Sequence, residues 1–273
     1  MNVAPLAARL RAALLAGRRD GRRGAGVPAP RRNDGYEFAE LREYVEGDDP
    51  RRIDWAATAR AGGLQTRVML EERALTLAVA LDASHSMQVG RERSNYELAC
   101  DAAGLWYAAA LADDRCARIG TRPLVLHDVA GPAAARACAA QHDVPGTDFE
   151  PSLRMARALL PRGARLLIVS DFFELGEMLS SLRACAGRFD LTALAVRDPW
   201  HAGLPLGGFV RLRDAESGRI AGAFVNGGAR RRYAKAVEAR ERALTNSLQR
   251  AGARVGTLDE RGAAWALAST FGL

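Results

Sequence analysis

Lysine is almost missing from this chain of 273 residues: Lys235 stands alone beside 38 arginines. With abundant alanine and glycine, that bias reads as nucleotide composition and carries no functional weight. Aromatic residues make up only 6%, and none interleaves the arginine pairs near the N-terminus, which weakens a single-stranded nucleic acid reading there. The four cysteines, Cys100, Cys116, Cys138 and Cys185, show no C-x-x-C spacing, so they are read as reduced, mostly buried thiols. The four histidines, His85, His127, His142 and His201, stand apart from one another and from the cysteines, which argues against zinc or copper. No apolar run reaches the roughly 18 residues that a bilayer-spanning helix needs. Arg9 and Arg11 interrupt the only signal-like stretch near the N-terminus, so the chain is read as cytoplasmic. There is no glycine-rich loop ending in Gly-Lys, no G-x-S-x-G and no H-E-x-x-H; a P-loop ATPase, an α/β-hydrolase and a zinc peptidase are excluded.

What is present is 48% hydrophobic content, enough for one large α/β domain with a full core. The net charge of +7 sits entirely in residues 1–33, which hold eight arginines against Asp20 alone. Leu6, Leu10, Leu14 and Leu15 recur at helical spacing in 4–17, and a Gly/Pro/Arg-rich stretch follows. This is read as a basic arm: a docking helix and a solvated linker, with peripheral membrane contact as an alternative and no specific nucleic acid. Deleting 1–32 is expected to leave the domain folded. Residues 34–76 form a second segment, and 77–273 the main domain.

Beyond the arm, Asp49-Pro50 predicts a capped helix from Pro50 to about Arg60. Two strands follow in "LQTRVMLEE" and "LTLAVALD", the second apolar throughout, as a strand covered on both faces should be. Ser94 and Glu97 form a capping box for a helix to Leu111. Helices at 133–140, 151–160, 175–187, 229–250 and 263–270 alternate with strands in "RCARIGT", "ARLLIVSD", "DLTALAVRDP" and "ARVGTLD". A hairpin turning at Ser217-Gly218 interrupts the pattern. Such alternation predicts a mostly parallel sheet with helices on both faces.

Three loops leave strong strands carrying oxygen-bearing side chains. "LDASHSM" supplies Asp82, Ser84 and Ser86; "VPGTDFE" supplies Thr147 and Asp148; "IVSDFFE" supplies Ser170 and Asp171. In open α/β sheets ligands collect beyond the carboxyl ends of the strands. Hard oxygens with one or two carboxylates suit Mg2+. Two aspartates only neutralise a divalent ion and the hydroxyls add no charge, so a further carboxylate from a partner protein can complete the shell. The plainer reading of each loop alone is a helix cap.

The D-x-S-x-S of "DASHS", the later "GTD" and the "SD" after "LLIV" resemble the metal-ion-dependent adhesion site of von Willebrand factor A-type domains. "GYEFAELREYVEGDDPRRIDWAATAR", then "EER" and "LDASHSM", resembles the bacterial family catalogued as domain of unknown function fifty-eight. "VRDP", "LP" and "RLRDAESGR" resemble its C-terminal portion. The resemblance spans about residues 33–260. It implies a von Willebrand factor A-like, Rossmann-like fold with a Mg2+ site at Asp82, Ser84, Ser86, Thr147 and Asp171. It also implies work as adaptor or co-chaperone of a MoxR-type AAA+ ATPase and its clients. Many relatives carry membrane helices ahead of this region, where the present chain has the basic arm. "EGDDPRRIDW" reads either as a structural corner, with Arg51 and Arg52 paired to Asp48 or Asp54 and Trp55 in the core, or as a partner-facing surface formed by Asp48, Asp49, Arg51, Arg52 and Asp54.

The expected function is therefore a non-catalytic, metal-dependent protein-interaction module. A Mg2+-dependent phosphoesterase using Asp82 as nucleophile is the alternative. Against it, the position two residues on, where such sites usually want a second aspartate, is Ser84, and no basic residue is placed to hold a phosphate.

Overall fold

A computed structural model describes residues 3–17, 37–70, 74–119, 125–127, 135, 149–173, 175–197, 207–213 and 218–273. Its elements in chain order begin with α1 (Val3–Ala16), β1 (Glu37–Glu43), α2 (Trp55–Ala61), β2 (Gln65–Leu70), β3 (Thr76–Leu81), α3 (Asn95–Ala108), β4 (Arg115–Ile119), β5 (Val125–His127) and α4 (Phe149–Leu159). There follow β6 (Arg165–Ser170), α5 (Leu175–Ala186), β7 (Asp190–Val196), β8 (Gly208–Arg213), β9 (Ile220–Val225), α6 (Gly227–Arg250), β10 (Arg254–Leu258) and α7 (Ala263–Phe271). The chain divides into a smaller unit, Asp20–Ala74, and a larger one formed by Met1–Arg19 with Leu75–Leu273.

In the larger unit the described strands form a six-stranded sheet in the order β10-β7-β6-β3-β4-β5, parallel except for the antiparallel edge strand β5. This is a mixed α/β architecture, and the chain reverses its direction of travel across the sheet between β3 and β6. Every residue from Leu77 to Leu81 is buried. Leu77, Val79 and Leu81 face one side of the sheet, against α3 and α7, and Ala78 and Ala80 face the other, against α4, α5 and α6. The expected two-sided burial follows directly from the uninterrupted apolar run. The capping box of Ser94 and Glu97 starts α3 as anticipated. Gly256 lets β10 lie under α7, since a Cβ there would come within 1.8 Å of the Thr270 hydroxyl. Cys100, Cys116 and Cys185 are free thiols, each pushed up to about 11 by burial. The expected helix at 133–140 lies outside the described residues, apart from Ala135.

The first helix, read as the docking helix of a basic arm, belongs to the larger unit. Leu6, Leu10 and Leu14 of α1 are buried in the same core as α3 and α7. Arg11 reaches the carbonyl of Ala109, at the C-cap of α3, at 3.2 Å and forms an ion pair with Asp114. Asp114 also accepts from the backbone N–H groups of Leu75 at 2.6 Å and Leu111 at 2.7 Å. A buried carboxylate with this many donors is a structural pin: it ties α1, the entry to β3 and the turn before β4 together.

The smaller unit is built on the antiparallel pair β1–β2, whose register slips between Phe38 and Glu40. The first of these strands was not foreseen. The helix expected from Pro50 to Arg60 is instead two pieces. Asp49 caps a single 3-10 turn at Pro50–Arg52, Ile53 is extended and bridges to Thr66, and Asp54 caps α2 through the N–H of Ala57. Asp48 pairs with Arg42 at 2.6 Å and Asp54 with Arg67 at 2.9 Å, so strand arginines hold the acids for which Arg51 and Arg52 were expected. These contacts hold both carboxyls below the usual range, Asp48 chiefly through Arg42 and Asp54 chiefly through the N–H of Ala57. Trp55, expected in the core, is 68% exposed.

Candidate functional site

The residue that ends β3 and the residue that ends β6 come together because the two strands are paired in parallel, with Leu81 opposite Val169. The N–H of Asp82 continues that ladder to the Val169 carbonyl at 2.9 Å. Its side chain then turns across to the next residue of β6. Asp82 Oδ2 accepts from the Ser170 hydroxyl at 2.6 Å, and Oδ1 accepts from the Ser84 N–H at 2.9 Å. Asp82 is only 6% exposed.

Ser84 occupies the N-cap of a 3-10 turn, His85–Gln88, yet its side chain makes no capping bond. The hydroxyl instead lies 3.0 Å from that of Ser86. The helix-cap role that would explain Ser84 trivially is thus unused. Ser86 in turn hydrogen-bonds the Asp171 carboxylate. Burial raises the pKa of Asp171; the Ser86 and Phe173 N–H contacts oppose the rise, the charge of Asp82 adds to it, and Arg240 opposes it least of all. His85 faces solvent, as expected.

The turn after β6 is strained in a way that serves this arrangement. Phe172 has φ of 51°, the sole positive value at a non-glycine residue among those described. Left-handed backbone at a bulky side chain costs on the order of 1–3 kcal/mol and persists where surrounding structure enforces it. Here the N–H of Phe172 bonds the Ser170 hydroxyl at 2.9 Å and the N–H of Phe173 bonds Asp171 at 3.0 Å. The Phe172 ring anchors in the core, while Phe173 stays 72% exposed with the Arg240 guanidinium 4.6 Å over its ring.

Of the expected set, Asp82, Ser84, Ser86 and Asp171 are linked by hydrogen bonds or mutual charge at one end of the sheet; Thr147 lies outside the described residues. Among the described residues, no three acids, histidines or cysteines cluster as a metal site; the donors are two carboxylates and hydroxyls. Ser170, named in its loop but not among the expected ligands, is a direct partner of Asp82, and Phe173 and Arg240 flank Asp171. The register of β3 on β6 is the signal for Ser170; it spans 88 residues of sequence and is invisible to local patterns. In the smaller unit, Asp48, Asp49 and Asp54 serve local turns and pairs, as described above.

The family model described as "Protein of unknown function DUF58" matches residues 40–243. The uncharacterized proteins Mb1516 of Mycobacterium bovis and Rv1480 of Mycobacterium tuberculosis are each 30% identical over 245 residues, covering 83% of this chain and 74% of the relative. Among solved structures, BatB from Bacteroides thetaiotaomicron matches at 18% identity and a TM-score of 0.40, covering 65% of this chain and 98% of that one. An aerotolerance-related membrane protein from Bacteroides fragilis matches at 14% and 0.41, covering 65% and 100%.

Proposed function

Because the chain belongs to the family of unknown function DUF58, we propose that it is a metal-dependent protein-interaction module of von Willebrand factor A-like fold. In this reading Asp82, Ser84, Ser86 and Asp171 hold a Mg2+ ion, with Thr147 contributing from its own loop. The partner is a MoxR-type AAA+ ATPase, for whose clients the chain acts as a cytoplasmic adaptor or co-chaperone.

One observation carries the reading: carboxylates stand at neighbouring strand ends, Asp82 accepting from the Ser170 hydroxyl and the Ser84 N–H, and Asp171 bonded to Ser86, whose hydroxyl lies 3.0 Å from that of Ser84. Among the described residues no arginine or lysine forms an ion pair with Asp82 or Asp171. They also sit where the chain reverses across the sheet, the place where open α/β sheets take their ligands. The donor chemistry fits a hard cation that keeps part of its water shell. Mg2+ bound here would supply positive charge and an exchangeable coordination place. Asp82, fixed by Ser170 and the Ser84 N–H, provides a preset carboxylate. Ser86 orients Asp171, and the Ser84 hydroxyl, 3.0 Å from that of Ser86, offers a further oxygen without adding charge. An incoming acidic side chain therefore meets an ion whose charge is balanced and whose shell is incomplete.

The phosphoesterase alternative gains nothing from the geometry. Both oxygens of Asp82 are engaged and the residue is buried, a poor setting for in-line attack. The test is calorimetric titration of Mg2+ into wild type, Asp82→Asn and Asp171→Asn, followed by capture of a MoxR-type ATPase with and without chelator. Saturable binding lost in both variants, with capture that needs Mg2+, supports the reading; equal heats in all three proteins defeat it.

A further inference from the structure

Helix α6 is tied at its middle to the same end of the sheet as the candidate site. Arg240 lies over Phe173, just beyond β6, and Glu241 pairs at 3.0 Å with Arg197, just beyond β7. Further along, Leu244 and Leu248 enter the core. Residues 227–239 therefore continue past the carboxyl ends of the strands, about 20 Å of helix at 1.5 Å per residue, and β9 of the hairpin packs against them.

This projection is unlike the rest of the surface. Pairing of Phe209 with Phe224 and of Arg213 with Ile220 puts these four residues, with Arg211, on one face of the hairpin. All five are exposed; Phe209 is 90% exposed, and the two phenylalanine rings meet edge-on with centroids 5.1 Å apart. On the helix, Arg231, Arg232 and Lys235 are exposed as well. No acid occurs in 207–213 or 218–237. An apolar and cationic face of this kind calls for a partner that is anionic and also offers apolar contact.

We propose that the β8–β9 hairpin and the first half of α6 form a docking arm for an acidic polypeptide segment, the flank of the same partner whose carboxylate enters the candidate site. The proposal rests on the reading of that site for the partner's identity, and on the arm's own residues for its chemistry. An anionic bilayer and a single-stranded nucleic acid share the anionic chemistry and are the alternative outcomes of the test.

The experiment measures binding of the full chain to polyglutamate, to phosphatidylglycerol vesicles and to a single-stranded oligonucleotide at physiological salt. Wild type, with and without chelator, is compared with Arg231→Glu/Arg232→Glu/Lys235→Glu, with the milder triple Gln variant and with Phe209→Ser, each checked for an unchanged melt. The arm predicts that polyglutamate is bound, that the Glu triple weakens it at least tenfold and that Phe209→Ser weakens it about threefold. Excess chelator leaves the wild-type binding of polyglutamate unchanged, which separates the arm from the metal site. Polyglutamate binding that ignores the arm variants, or is absent, overturns the proposal. So does arm-dependent preference for vesicles or oligonucleotide.

Discussion

Two buried aspartates of the larger unit are treated in opposite ways. Asp114 accepts from two backbone amides and is paired with Arg11, so its charge is answered from within the fold. Asp82 accepts only from a hydroxyl and one amide, and its neighbour Asp171 is a second carboxylate whose ionisation is hindered by burial. The first is a finished structural joint. The second is a pair of carboxylates with no arginine or lysine ion pair among the described residues, and that difference is the physical basis for reading one as architecture and proposing the other as a binding site.

The comparison breaks first at α1. Deleting residues 1–17 removes three buried leucines, each worth about 2–5 kcal/mol as a core truncation, and strands Asp114 without its cation. Loss of the cooperative melt is expected; a melt like that of the full chain would show that α1 is dispensable. The same point mutation logic is sharper: Arg11→Ala leaves a buried charge unpaired and should cost about 3–5 kcal/mol by denaturant unfolding. Asp82→Asn keeps the shape and most of the hydrogen bonding. It should change stability by less than about 2 kcal/mol without metal, while erasing any stabilisation by Mg2+.

A smaller effect concerns pH. A native value for Asp171 raised above the ordinary 3.8 means that the folded state holds this proton more tightly than the unfolded state. Metal-free stability should therefore fall as pH climbs from 3.8 toward the native value and then level off. In Asp171→Asn that part of the decline should vanish; an identical pH profile would remove the argument that burial, with the charge of Asp82 added, hinders its ionisation. The smallest expected signal is chemical. Cys116 lies in the core that α1 covers, its thiol held up at about 11, so labelling at pH 8 should be slow in wild type and faster in Arg11→Ala.

Much of the large unit was legible because burial writes itself into sequence as unbroken apolar runs: "LTLAVALD", "ARLLIVSD" and "DLTALAVRDP" are β3, β6 and β7. The hairpin was also legible, from alternation and the glycine at its turn. The site was half legible. D-x-S-x-S states a local spacing, whereas the contact of Ser170 with Asp82 depends on strand register, and the approach of Arg240 to Phe173 depends on helix placement. Strand β1 escaped because "EFAELRE" carries four charges in seven residues, and α1 was legible as a docking helix from its leucine stripe, whereas the α3 and α7 surface that buries it is not a local pattern. Trp55 shows the reverse error: an aromatic residue assigned to a core by type stands out in solvent at the start of α2.

The most direct measurement is an anomalous-scattering map from crystals of the full chain grown with Mn2+ in place of Mg2+. The account predicts a peak bounded by Asp82, Ser84, Ser86 and Asp171, at oxygen distances typical of an octahedral ion, and its loss in Asp82→Asn. A map with no peak there at millimolar metal, or with the ion held elsewhere, would contradict it.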